Sequence, residues 1–95
     1  MDRIETRSIL SDHLNHYRLR SYTDLAGWVS EGRIDTAEIV APSGARYQIE
    51  IQFFWDNRPN RNVRVMGAID DGGERAFFPL TDSFILSPEG QFVGE

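Results

Sequence analysis

His13 and His16 stand three residues apart with Asp12 beside them. On a helix that spacing turns two imidazoles to one side, where they can share a metal ion. No His-Glu-x-x-His run and no second ligand cluster completes such a site. Both histidines also fall off the apolar stripe of their own segment, so they read as solvated groups and no metal is expected. Asp70-Asp71-Gly72-Gly73-Glu74 gathers three carboxylates around a turn signal. Oxygen-rich loops bind calcium, but the alternating ligands of an EF-hand are missing. Acid–base work by paired carboxylates needs a sheltered cleft, which a hairpin tip does not offer. Turn chemistry accounts for these residues.

Arg58, Arg61 and Arg64 follow Phe53-Phe54-Trp55, the mixture with which single-strand nucleic-acid binders track phosphates and stack bases. The same residues read as a core strand leading into a solvated loop, and no RNA-binding signature accompanies them. The net charge of −5 argues further against nucleic acid and anionic membranes, which require local positive excess. Nucleophilic catalysis finds little support. No serine lies in a Gly-x-Ser-x-Gly elbow, and no glycine-rich loop opens a helix to cradle phosphate. All ten basic residues are arginine, as a GC-rich genome would produce, which removes Schiff-base and P-loop lysine chemistry. With no cysteine there is no disulfide, thiolate zinc site or thiol nucleophile. The reading leans away from an enzyme, and no cofactor is expected.

The elements that position these residues form one domain over residues 1–95, helical over 1–32 and an antiparallel sheet over 35–93. Hydrophobic residues at 40% and aromatics at 12% suit a single modest core. Ile4, Leu10, Leu14 and Tyr17 approximate a helical repeat, predicting a first helix from about Asp2 to Arg18. Ser21-Tyr22-Thr23-Asp24 is a capping pattern. Leu25, Trp28 and Val29 then predict a short second helix ended by Gly32. The N-terminal residues lack a signal-peptide core and no stretch is long enough to cross a bilayer, so a cytoplasmic, bacterial protein is expected.

Arg46 to Trp55 is the clearest strand. Tyr47, Ile49, Ile51, Phe53 and Trp55 fall on one face, while Arg46, Gln48, Glu50 and Gln52 fall on the other, the alternation of a sheet with one dry and one wet side. Ala41-Pro42-Ser43-Gly44 suits a type I turn with a glycine bulge. Pairing Ala41 with Ala45 sets Ile39 opposite Tyr47 and Ala37 opposite Ile49. Setting Trp55 opposite Val63 brings Phe53 to Val65 and Phe54 to Arg64. Further strands are predicted around 75–78, 83–86 and 91–93, the last two flanking Ser87-Pro88-Glu89-Gly90. The fold class is α+β, with two N-terminal helices packed on one face of an antiparallel β-meander of five or six strands.

Phe54 breaks the wet face, and Phe77-Phe78 does the same, since adjacent strand residues point to opposite sides. Phe54, Arg64, Met66 and Phe78 therefore form a candidate interaction surface of the residue types enriched at protein interfaces. Phe84 to Val93 folding back over them is the competing arrangement. The first expectation is a non-catalytic interaction domain that self-associates, as a homodimer, or binds a protein partner. The alternative is a small-molecule site between helices and curved sheet, lined by Trp28, Tyr47 and Trp55 with Glu50 or Asp70 at its mouth.

Overall fold

The Asp2 carboxylate starts the first helix. In the computed structural model, which describes residues 2–72 and 79–95, Asp2 Oδ1 accepts from the backbone N–H groups of Ile4 and Glu5, both at 3.0 Å. These are donors that every helix start leaves unpaired. Helix α1 spans Arg3–Arg18 and buries Thr6, Leu10 and Leu14, with Tyr17 packed beside them. Ile4, expected on that stripe, is 85% exposed. It stands six residues before Leu10, and at about 100° per residue that carries it to another side of the helix. Thr6 occupies the place instead, its hydroxyl satisfied by the Asp2 carbonyl at 2.7 Å. Helix α2 spans Tyr22–Glu31; Ser21 Oγ accepts from the Asp24 N–H, and Gly32 closes the helix at φ 67°.

Four strands follow: β1 (Ile34–Val40), β2 (Arg46–Trp55), β3 (Val63–Asp70) and β4 (Leu80–Leu86). They lie in sequence order and every neighbouring pair is antiparallel. The first turn forms as its residues dictate, with Ala41 N–H donating to Ala45 O and Gly44 N–H to Ala41 O, both at 2.8 Å. Ile39 then meets Tyr47 and Ala37 meets Ile49. Phe54 meets Arg64 and Trp55 meets Val63. The α+β class holds, but the described residues contain four strands rather than five or six. The strand expected at 75–78 lies outside the described residues. The final hairpin reduces to β4 and one bridge, Leu86 to Phe92. After the Ser87–Gly90 turn, the backbone turns again at Gly94 (φ 82°), leaving too few extended residues for a ladder.

The core lies on one side of the sheet. Tyr47, Ile49, Ile51 and Phe53 from β2, Val63, Val65 and Ile69 from β3, and Phe84 and Leu86 from β4 pack against Leu10, Leu14 and Leu25. Helix α1 rests on β3 and β4, and α2 on β2 and β3. Gly67 sits beneath α1. A Cβ there would lie 2.7 Å from Leu10 Cδ1, 3.1 Å from Ile51 and 3.3 Å from Leu14. The missing side chain is what lets helix and strand approach this closely. Arg18, at the end of α1, stacks over the rings of Phe84 and Phe92, 4.8 Å from each, and pairs with Glu95 at 2.8 Å. No helix among the described residues is long and apolar enough to cross a membrane.

Candidate functional site

Because the dry residues of β2 and β3 point into the helices, their alternates form a second face. Gln48, Glu50, Gln52 and Phe54 come from β2; Arg64, Met66, Ala68 and Asp70 from β3. Cross-strand partners share a face, so the register sets Phe54 beside Arg64 and Gln52 beside Met66, with Ser83 and Ile85 next in line on β4. Phe54 is 42% exposed. Arg64 is held in a fixed orientation. Its Nε and Nη2 donate to Asp56 Oδ1 at 3.2 and 3.0 Å, and its Nη1 donates to Ser83 Oγ at 3.0 Å. The guanidinium thus bridges the end of β2 to β4 across the open face. Phe78 lies outside the described residues.

The C-terminal segment does not cross this face. Phe92 meets Phe84 edge-on at 5.8 Å on the helix side, where Arg18 stacks on both. Two aliphatic residues of the second face had no place in the expected surface. Ile34, paired with Gln52, is 56% exposed, and Val40, paired with Arg46, is 59% exposed. Their signal was parity: both share the phase of Thr36 and Glu38, opposite to that of Ala37 and Ile39.

The five residues of the alternative pocket are separated by the sheet. Trp28 packs at 5.3 Å from Phe53 and 6.3 Å from Tyr17, and Trp55 packs against the core. Tyr47 is buried, and its hydroxyl donates to Glu5 at 2.7 Å. That hydrogen bond, with burial and the Glu5 charge, pushes the phenol up to about 12. Glu50 and Asp70 lie on the second face, where they line a shallow depression of about 430 Å³ with Thr36, Glu38 and Gln48. Glu50 and Asp70 therefore do not meet Trp28, Tyr47 or Trp55.

The structure assembles a different polar cluster. Tyr17 donates to Asp35 Oδ2 at 2.6 Å, and Arg33 donates to both Asp35 oxygens at 2.7 and 3.2 Å. Arg33 and Arg20 lie over Trp28, 3.9 and 5.5 Å from its ring, and His13 packs near Tyr17 and His16. Burial would raise the Asp35 carboxyl, but the hydrogen bonds from Arg33 and Tyr17 outweigh it and hold the group below its ordinary value. Burial, then the bond to Asp35, lifts the Tyr17 phenol far above its ordinary range. Burial and the neighbouring charge of His16 lower His13, against the pull of Asp35. Both partners of Asp35 are donors, and their hydrogen bonds tie α1 and the start of β1 together. No group of three or more His, Cys, Asp or Glu among the described residues is placed to hold a metal. Asp35 was legible as an oddity, since its phase puts a charge on the dry side of β1.

Comparison with protein-family models, curated proteins and solved structures finds no match to this chain.

Proposed function

We propose that the protein is a non-catalytic interaction domain that works through the open face of its sheet, with Phe54, Arg64 and Met66 as its centre. The observation that carries this reading is the combination of an exposed aromatic with an arginine already fixed between Asp56 and Ser83. A guanidinium held in place has less freedom to lose on docking, so more of its contact energy reaches the complex. Aromatic residues and arginine are also those whose truncation costs interfaces most. Small size and a net charge of −5 fit a regulatory or adaptor module.

Phe54→Ala and Met66→Ala test the reading. Each should weaken association measurably, read as a shift in oligomeric state by sedimentation or a loss of partner recovered from lysate. Circular dichroism should remain that of the wild type, because neither side chain belongs to the core. If both substitutions leave oligomeric state and partner recovery unchanged, the reading falls.

A further inference from the structure

The two edges of the sheet are finished differently. At β4 the chain folds back on its own edge through the Leu86–Phe92 bridge, with Ser87 N–H donating to Gln91 O at 2.8 Å and Val93 N–H to Ile85 O at 2.9 Å. At β1 nothing among the described residues pairs with the outer side. Exposed edges are ordinarily blunted by proline, lysine, a bulge or an unpaired inward charge. Strand β1 has no proline or lysine, and its register with β2 runs from Ile34 to Val40 without a bulge. Its one charge on the helix side, Asp35, is not unpaired: it forms an ion pair with Arg33 and accepts a hydrogen bond from Tyr17. The helices rest on β2, β3 and β4, so β1 is the strand they cover least.

The backbone phase of that edge is fixed by the hairpin. Ala41 N–H donates to Ala45 O, and bonded pairs recur at every second residue of an antiparallel ladder. Ile39, Ala37 and Asp35 therefore turn their backbone groups toward β2. Ile34, Thr36, Glu38 and Val40 turn theirs outward.

We infer that β1 is a self-pairing edge: two copies of the chain join antiparallel about a two-fold axis at Ala37, fusing their sheets into one. This contact is separate from the Phe54–Arg64–Met66 surface and goes beyond the interaction reading. In this register Ile34 of each copy meets Val40 of the other, covering the two most exposed aliphatics of the strand. Thr36 meets Glu38, and the small Ala37 meets itself at the closely spaced non-bonded position. A centre at Glu38 would set two carboxylates opposite each other. A centre at Thr36 would set Ile34 against Glu38. Of these three centres, Ala37 alone opposes no like charges and sets aliphatic against aliphatic among the outward-facing residues. The second faces of both copies then become continuous, and the Phe54–Arg64–Met66 surface is presented twice.

The test uses charge-pair rescue. Positions 34 and 40 lie about 20 Å apart along one strand, so charges placed at the two interact with each other only between copies. Sedimentation over a wide concentration range should show a wild-type dimer. Ile34→Arg or Val40→Glu alone should raise its dissociation constant about tenfold. The double variant Ile34→Arg/Val40→Glu should recover the dimer, because each arginine then faces a glutamate of the other copy. Circular dichroism confirms that every variant is folded. A wild type monomeric throughout overturns the self-pairing edge while leaving a different partner for the open face. A dimer insensitive to positions 34 and 40 but dissociated by Phe54→Ala overturns it too, and upholds the open face as the contact.

Discussion

At the scale of single residues, Asp35 is the most informative group. Replacing it with asparagine keeps the shape but removes the charge that holds Tyr17 and Arg33. The Tyr17 bond is the more sheltered of the two, and Arg33 is solvent-screened, so the expected loss is about 1–2 kcal/mol by urea unfolding near neutral pH. The sign of the pH effect follows from the lowered carboxyl. The stabilisation is complete above the unfolded value of 3.8 and is lost as the pH falls through the lower folded value. Asp35→Asn should therefore show a shallower loss of stability in acid than the wild type. The charge on the dry side of β1 was visible in the alternation, but its partners were not. Arg33 stands two residues before it, but Tyr17 reaches it from α1, and no local pattern reports that contact. Ile4 and Thr6 teach the complementary lesson, because counting apolar residues favoured the isoleucine while helical angle favoured the threonine.

Elements were legible where one face is dry. The β2 register with both neighbours follows from two turn signals and a period of two, because slipping by one residue would bury Glu50 and expose Ile49. Helix ends were legible for a similar reason, since Asp2, Ser21 and Gly32 satisfy local backbone needs. What no element declares is its depth of packing on another. Gly67 fits the dry phase of β3, yet only the docked α1 explains why a side chain is missing there. Gly67→Ala should cost about 1–3 kcal/mol as Leu10, Ile51 and Leu14 are forced aside. Combined with Leu10→Ala, which opens space above it, the double variant should lose less than the sum of the two single losses. Chemical denaturation of the two single variants and the double measures that coupling, and strict additivity would place the strain elsewhere.

The described residues form two layers, with both helices on one side of the sheet and no described element packed on the other. Phe54 could be assigned to the open side from β2 alone, because that needs only parity. Whether residues 84–93 cover that side depends on their route, which Arg18, Phe92 and Glu95 set through contacts distant in sequence. The position of α1 carries a kinetic consequence. Each strand pairs with the next in the chain, so hairpins close short loops, whereas α1 rests on β3 and β4 and must close the longest ones. Loop entropy then favours a transition state made of β1, β2 and β3, with α1 docking afterwards. Stopped-flow measurements on Leu10→Ala should show faster unfolding and a nearly unchanged folding rate, while Ile49→Val slows folding. The first helix in the sequence would be the last element to arrive and the first to leave.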